Sequence, residues 1–323
     1  MAQFTFEDHP EVAPRIEWPE GKSFAFTIFD DPDYQTIKRA GVTYDFLRDH
    51  GFRTTKGVWP GHGTNPENEQ YGATCADPEY LKWTLTLQER GFEIGWHGAQ
   101  PVTSTREQTI EGFEKFHQLF GHWPATMSQH CDCSENIYWG DSRLTSPGHR
   151  MLYNLLTRGR NHGAFHGDVP GHPLYWSDIC RDRVKYVRNF VFADMNTLAA
   201  CPFMPYHDPA RPDVNYWYAS SEGHLIETFV KTISERNQDK LEAEGGACIM
   251  YTHFAYQFTK DGVLNRRFKE LMQRLSRKNG WFVPVSELLD YILRKRGPTV
   301  FGASQRAALE RRWLAHKIRF GVA

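Results

Sequence analysis

The stretch that decides the fold is FTIFDDPD, Phe26 to Asp33. An apolar and β-branched run from Phe24 to Phe29 ends at Asp30 and Asp31, and Asp33 follows after a proline. The apolar run predicts a buried strand. Adjacent carboxylates at the end of such a strand are destabilising, because they repel each other and are costly to bury unpaired. We therefore expect these acids to hold a cation or to remove a proton.

Strand-like and helix-like runs alternate along the rest of the chain. Further strand-like runs are RTTKGVW, FEIGW, PATMSQ, VKYVRNFVF, ACIMYTH and WFVPV. Helices are predicted after Asp77-Pro78-Glu79, after a capping box at Ser104 to Glu107, from about Ser221, and from Leu264 to about Gly280. This alternation predicts a parallel sheet, either open or closed into a barrel. No G-x-G-x-x-G motif opens a helix, so a dinucleotide-binding fold has little support.

Reactive side chains fall where the predicted strands end, which is where barrels carry their chemistry. They are Asp30 and Asp31 after the first strand, His62 after the second, His97 after the third, His130 after the fourth and His253 after a late one. Carboxylates and neutral imidazoles suit Zn²⁺ and similar divalent ions. Such an ion activates water, while a nearby carboxylate can take the proton. The pattern is typical of a mononuclear metal hydrolase.

Composition excludes several other classes of protein. The 323 residues carry a formal net charge of −1, which gives no electrostatic case for nucleic acid as the main partner. The first residues lack the basic and apolar regions of a signal peptide, and no stretch is apolar enough to span a membrane. Six cysteines are too few for a disulfide framework in a chain of this length. We expect a soluble cytoplasmic protein.

The C-terminal stretch differs in composition from the remainder. Residues 297–323 predict a basic amphipathic helix, appended to a catalytic domain at residues 1–296. Leu309, Trp313 and Phe320 would share its apolar face. The helix either packs on the domain with its basic face solvated, or contacts an anionic membrane surface or an acidic partner.

Four stretches resemble one family, the polysaccharide deacetylases of carbohydrate esterase family 4. TIFDDPD resembles the family motif T-F-D-D-G, and GFEIGWHGAQ resembles G-H-E-I-G-x-H-[ST]-x-x-H. IMYTHFA is similar to the late histidine motif, and GWFVPVSELLDYI to the closing strand and helix. The resemblance implies an α/β fold, a distorted seven-stranded (β/α) barrel. It also implies that Asp30 is the general base, that Asp31 and His97 bind the metal, and that His253 is the general acid.

The sequence also departs from the family pattern. Pro32 replaces the glycine of the first motif, and Pro101 stands where the second metal-binding histidine is expected. The family's arginine motif is absent after the fourth strand, which continues as SQHCDCSEN. We expect His130 to supply the missing ligand, because it follows the strand next to that of His97. Cys131, Asp132 and Cys133 are competing candidates.

Several functions remain open at this point. The first is a metal-dependent deacylase that removes an N- or O-acetyl group from a sugar, with Asp33, Trp59, His62 and Trp96 as substrate contacts. Its substrate would be a nucleotide- or lipid-linked precursor of a bacterial surface polysaccharide such as O-antigen. The second is a degenerate barrel that only binds glycan or scaffolds an assembly. The third is a glycoside hydrolase with a second acid at Asp132, Asp194 or Glu222.

Overall fold

The computed structural model describes residues 15–61 and 71–323. The strands are β1 (Phe24–Asp30), β2 (Thr55–Val58), β3 (Glu93–Trp96), β4 (Thr126–Met127), β5 (Tyr186–Phe192), β6 (Tyr206–His207), β7 (Tyr216–Ser221), β8 (Ala247–Thr252), β9 (Thr259–Lys260), β10 (Val263–Leu264), β11 (Gly280–Phe282) and β12 (Thr299–Val300). The α-helices are α1 (Ile37–Asp49), α2 (Pro78–Glu89), α3 (Arg106–Phe120), α4 (Pro147–Leu156), α5 (Cys180–Arg183), α6 (Thr197–Ala200), α7 (Ile226–Thr232), α8 (Glu235–Glu244), α9 (Arg266–Ser276), α10 (Val285–Arg296) and α11 (Ala303–Phe320).

Seven parallel strands close into a barrel in the order β1, β2, β3, β4, β5, β7, β8 and back to β1. This confirms the predicted (β/α) barrel. The distortion lies beside β1, which pairs with β2 only at Phe29 and Asp30. The first half of β1, from Phe24 to Phe26, pairs instead with β11.

One barrel strand was not predicted. Strand β7 lies within the aromatic and proline-rich stretch where the sequence pattern is weak, and its segment YWYASS shows no clean alternation. Ser220 and Ser221 are nonetheless fully buried, because a barrel strand is covered on both faces. The helix predicted from about Ser221 was therefore placed too early, and α7 begins at Ile226. The run WFVPV forms β11, an extra strand beside β1 rather than a member of the barrel.

The side chains of β1 alternate between two cores. Phe24, Phe26 and Ile28 pack in the cluster that contains helix residues such as Tyr44 of α1. Phe29 belongs to the other cluster, and glycines on β2 and β3 make room for its ring. A Cβ atom at Gly95 would lie 3.0 Å from Phe29 Cζ. The period of two thus directs alternate residues of β1 towards the helices and towards the barrel interior.

Helix starts are close to the predicted ones. The Asp77 side chain caps α2 by accepting from the N–H groups of Glu79 and Tyr80. The capping box of α3 is formed by Thr105 and Gln108, one residue later than predicted. A helix begins there because the hydroxyl and amide side chains satisfy N–H groups that lack an intrahelical partner.

Helix α11 packs on the barrel domain through part of its predicted apolar face. Trp313 is fully buried and stacks on Tyr153, while Leu309 and Leu314 are also buried. Phe320 is 50% exposed, so it does not continue the packed face as expected. None of the helices within residues 15–61 and 71–323 is both long and apolar enough to cross a bilayer. The division of the chain at residue 296 stays a prediction.

Candidate active site

The carboxylate of Asp33 is surrounded by three histidines at the carboxyl ends of the barrel strands. His130 Nε2 lies 2.9 Å from Asp33 Oδ1. His97 Nε2 and His253 Nε2 lie 3.3 Å and 3.4 Å from Asp33 Oδ2. All four residues are buried. Barrel closure thus brings together side chains that follow β1, β3, β4 and β8.

A second carboxylate, Asp31, lies beside this cluster and is held by an arginine. Arg188 Nη2 donates to Asp31 Oδ2 at 2.7 Å, and Nη1 donates to Oδ1 at 3.3 Å. The hydroxyl of Ser128 also donates to Asp31 Oδ1, at 2.7 Å. The resulting ion pair is almost fully buried, with side-chain exposures of 3% for Arg188 and 2% for Asp31. A buried bidentate pair of this kind fixes the orientation of the carboxylate.

The proton on the His97 ring is positioned by the same chain of hydrogen bonds. Ser128 Oγ lies 2.7 Å from His97 Nδ1 and gives its own proton to Asp31. It can therefore only accept from His97, so Nδ1 carries the ring proton and Nε2 carries a lone pair. That lone pair faces Asp33 Oδ2, which also carries lone pairs. Two such atoms repel each other unless a cation or a proton lies between them.

His253 is oriented in the same way. Its Nδ1 lies 3.0 Å from the carbonyl oxygen of His224, which can only accept, so Nδ1 is the protonated nitrogen of the neutral ring. The His224 ring is held by Glu222 Oε1 at 2.7 Å from Nδ1. Nε2 of His253 is thereby directed at Asp33.

The two site carboxylates are ionised. Burial alone would raise the pKa of Asp33, but the charge of His253 and the hydrogen bond from His130 outweigh it and hold the pKa well below its usual value. Burial likewise opposes ionisation of Asp31, and Arg188, His97 and His253 more than compensate, so its pKa is also lowered. The site therefore offers negative charge to a cation at neutral pH.

The three histidines differ from one another in their titration. Burial lowers the pKa of His97, and the two aspartates only partly offset this. Burial also acts against protonated His130 and His253, but the nearby Asp33 outweighs it and raises both pKa values, to about 9 for His253. A neutral His97 is the form that binds metal.

Asp30, the expected general base, lies outside this cluster. It faces the helices and accepts hydrogen bonds from Gln35 Nε2 at 2.6 Å, the Tyr44 hydroxyl at 2.7 Å and the Phe254 N–H at 2.8 Å. Burial raises its pKa, which Lys56 and these donors only partly oppose. The geometry gives Asp30 a structural position, and its assignment as a base stays a prediction that the geometry does not favour.

The expected substrate contacts are distributed differently. Asp33 lies at the centre of the cluster rather than at its rim. Trp59 and Trp96 are almost fully buried: Trp59 donates to the His97 carbonyl oxygen at 3.2 Å, and Trp96 stacks on Phe113 at 3.9 Å. Neither ring is open to stack on a sugar. His62 lies outside the described residues.

Two arginines of the site were not anticipated from the sequence. Arg188 is the only charged residue in β5, YVRNFVF, and an arginine inside a strand buried on both faces was the available signal. Arg143 lies on a short 3₁₀ turn, Gly140–Arg143, in a stretch with no assigned strand. Both line a cavity of about 390 Å³ together with Asp31, Asp33 and the three histidines.

The donor set fits a divalent metal ion. Asp33 Oδ2 and His97 Nε2 are buried polar atoms without a hydrogen-bond partner within the described residues. Ligand atoms of a tetrahedral Zn²⁺ lie about 3.3 to 3.4 Å apart, which matches their 3.3 Å separation. Ligand atoms of Asp31, Asp33 and His253 also lie within 4.8 Å of one another, and so do those of His130, Cys131 and Asp132.

Comparison with known proteins shows the fold. No family model matches the chain, and no curated protein sequence matches it. The structure is similar to a candidate polysaccharide deacetylase from Mycobacterium smegmatis, with 12% identity, a TM-score of 0.53, and coverage of 90% of this chain and 99% of that one. It also matches, with TM-scores below 0.5, two other solved structures.

One is a GH57-type branching enzyme from Pyrococcus horikoshii, with 9% identity and a TM-score of 0.47 over 87% of this chain and 72% of that one. The other is a peptidoglycan deacetylase from Bacillus subtilis, with 12% identity and a TM-score of 0.41 over 91% and 98%. The similarity to the Mycobacterium smegmatis structure agrees with the barrel fold that the sequence resemblance implied.

Proposed function

We propose that this protein is a metal-dependent deacylase that removes an N- or O-acetyl group from a sugar. The observation that carries the proposal is the unsatisfied pair at the centre of the site. His97 Nε2 presents a lone pair to Asp33 Oδ2, both atoms are buried, and neither has a hydrogen-bond partner within the described residues. A divalent ion between them would satisfy both, since imidazole and carboxylate are ordinary Zn²⁺ ligands.

The ligands that we assign to the ion are Asp33, His97 and His130. The two imidazoles face different oxygens of Asp33, with His97 Nε2 3.3 Å from Oδ2 and His130 Nε2 2.9 Å from Oδ1. With this assignment, the metal-binding role and the role of general base are each given to a later aspartate than the family resemblance implied. Asp33 takes the metal-binding role first given to Asp31, and Asp31 takes the role of base first given to Asp30.

When bound, the ion would lower the pKa of a water molecule and polarise the acyl carbonyl. Asp31 would accept the proton from that water, and Ser128 and Arg188 hold its carboxylate in place for this task. His253 would donate a proton to the leaving amine or hydroxyl group, with its ring fixed by the His224 carbonyl. Arg188 would also keep Asp31 ionised between turnovers.

The substrate class that we propose rests on the sequence expectations. We propose a nucleotide- or lipid-linked sugar that is handled in the cytoplasm, during assembly of a bacterial surface polysaccharide such as O-antigen. A lipid-linked substrate would bring the protein to a membrane surface. Ile318 and Phe320 of α11, which are 59% and 50% exposed, are the apolar side chains that this helix leaves for such a contact.

The test is to measure metal content and acetate release together. The full-length protein is loaded with Zn²⁺, its bound metal is determined by elemental analysis, and acetate release is followed from N- and O-acetylated amino sugars and their nucleotide-linked forms. We expect about one ion per chain and metal-dependent release of acetate. His97→Ala should lose most of the bound metal and at least about 100-fold in rate, since it removes a ligand.

His162→Ala is the matched control, because His162 is an exposed histidine that also pairs with an aspartate, 2.7 Å from Asp141. It should retain metal and activity. A wild-type protein that binds no metal would overturn the metallohydrolase mechanism. A protein that binds one ion but releases no acetate from any of these sugars would overturn the deacetylase assignment.

A further inference from the structure

Arg143 is a buried guanidinium with no anionic partner. Only 3% of the residue is exposed. Within residues 15–61 and 71–323 its side chain makes no hydrogen bond and no ion pair, and its Nε atom is a buried donor without an acceptor. This is unusual, because buried charged groups are almost always paired.

Two tryptophans hold the guanidinium in place. Its central carbon lies 3.4 Å from the ring centroid of Trp139 and 5.4 Å from that of Trp313. Stacking on indole rings stabilises a guanidinium and fixes its plane, but rings supply no hydrogen-bond acceptors for its N–H groups. The side chain is therefore preorganised while its donors remain unused.

Two other cationic side chains, Arg188 and Lys317, lie close enough to Arg143 to act on it electrostatically. Burial is the main reason that its pKa falls to about 10, and the charge of Arg188 lowers it further. The pKa of Lys317 is lowered to about 8, first by burial and then by Arg143. Arg188 forms an ion pair with Asp31, whereas Arg143, the other arginine that lines the cavity, has no anionic partner within the described residues.

Arg143 also lies where a substrate would be bound. It lines the same cavity as Asp31, Asp33 and the three histidines of the candidate active site. This space of about 390 Å³, which includes solvent at its open mouth, is where the acylated sugar would meet the proposed catalytic groups. A neutral acetylated sugar bound there would leave the guanidinium unpaired.

We propose that Arg143 binds an anionic substituent, a phosphate or a carboxylate, of the acylated sugar. The inference rests on the proposed function, which it deepens by naming the substrate class: a sugar phosphate or an acylamino uronic acid. Guanidinium matches both oxyanions in bidentate geometry, and its rigid fork favours them over neutral groups. The stacked tryptophans and the partnerless donors are what this role requires.

The test is equilibrium binding by isothermal titration calorimetry with three ligands that differ in charge. They are N-acetylglucosamine, N-acetylglucosamine 1-phosphate and N-acetylglucosaminuronate. We expect the wild type to bind at least one charged ligand about 10-fold or more tightly than the neutral sugar, since hydrogen bonds to charged groups are strong. Comparing the affinities for the phosphate and the carboxylate ligand identifies which anion the site prefers.

Arg143→Gln should abolish the preference for the charged ligand, and Arg143→Lys should retain part of it. Arg183→Gln is the matched control, because Arg183 also stacks on a tryptophan, 4.0 Å from the ring centroid of Trp123, but is paired with Glu114 on the surface. It should keep the full preference. If Arg143→Gln does not fold, Arg143→Lys and the three wild-type affinities provide the comparison.

The outcomes separate the two proposals. Equal wild-type affinity for all three ligands, or a preference that survives in Arg143→Gln, overturns the anion site. If the protein releases acetate from neutral sugars and shows no preference for charged ligands, the deacylase proposal is supported and the anion site at Arg143 is contradicted. Binding of the charged ligand through Arg143 without acetate release supports the anion site and contradicts the deacylase.

Discussion

Whether an aspartate near the end of β1 reaches the candidate site depends on the side of the strand to which its Cβ atom points. Asp30 is in phase with Phe24, Phe26 and Ile28, and it lies with them towards the helices. Asp31 points into the barrel and meets Arg188. Asp33, after Pro32, lies in the loop above the strand end and meets the histidines. Asp30 and Asp31 are adjacent in the chain, so their side chains point to opposite faces of the strand, and only Asp31 enters the site.

The residue-scale prediction concerns which aspartate holds the metal. Asp33→Asn should lower Zn²⁺ affinity by at least about 100-fold, because it removes a charged ligand from between His97 and His130. Asp30→Asn should keep the ion but lower the free energy of unfolding by about 2 kcal/mol, because it disrupts the buried hydrogen bonds that Asp30 accepts from Gln35, Tyr44 and the Phe254 N–H.

The measurements for both variants are elemental analysis after dialysis against dilute Zn²⁺ and urea unfolding of the metal-free proteins. Loss of the ion in Asp30→Asn with retention in Asp33→Asn would contradict this reassignment. It would restore the roles that the family resemblance implied.

At the scale of the element, helix α11 is attached to the domain by a buried acid. Glu310 is fully buried and accepts from the Thr145 N–H at 2.7 Å, the Thr145 hydroxyl at 2.8 Å and His149 Nδ1 at 2.6 Å. These donors lie at the start of α4, where N–H groups have no intrahelical acceptor. Glu310 therefore joins the end of the chain to the segment that carries Arg143.

We expect Glu310→Gln to lower the free energy of unfolding by about 2 kcal/mol at pH 7, because charge-assisted hydrogen bonds are lost. Burial opposes ionisation of Glu310, but hydrogen bonds from His149 and Thr145 outweigh it, and its pKa is lowered. A lowered pKa means that this stabilisation is present above the unfolded value, about 4.3, and is lost as pH falls through the folded value.

The difference between Glu310→Gln and wild type should therefore shrink in urea unfolding curves recorded below about pH 4. Glu270→Gln is the matched control, since Glu270 pairs with Arg266 while about half exposed, and it should change stability little. A pH-independent difference for Glu310→Gln would contradict the assigned ionisation.

At the scale of the whole molecule, the candidate site exists only because the barrel closes. The proposed ligands follow β1, β3 and β4, and the proposed acid follows β8, the strand that pairs with β1 to complete the ring. An ion held by several strand ends binds the folded chain and not the unfolded one. Metal binding and global stability should therefore be linked.

We expect saturating Zn²⁺ to raise the melting temperature of the wild type by roughly 5 °C, as a ligand present at about 100 times its Kd would. A chelator should reverse the shift. Calorimetry on Asp33→Asn under the same conditions should show almost no shift, because its site no longer favours the folded state. An equal shift in this variant would mean that the ion binds elsewhere.

The sequence by itself determined the class of fold and placed candidate site residues at strand ends. Apolar runs predicted six of the seven barrel strands, and helical spacing marked the helices between them. These patterns follow from local backbone geometry. The position of Asp31, His97, His130 and His253 at strand ends followed from the same pattern. The family resemblance supplied the barrel type, which the structural comparison confirms.

Only the tertiary structure decided which of these residues meet. Strand β7 was missed because its buried serines and aromatics carry no local signal, and their burial arises from contacts across the barrel. Arg188 and Arg143 are ordinary charged residues in the sequence, and they become site residues only when the fold brings β5 and the 3₁₀ turn to the cavity that Asp31 and Asp33 line. The central position of Asp33 likewise depends on three histidines that are distant in the chain. No local pattern predicts which way a side chain points or which distant strands pair, so the sequence could not reveal it.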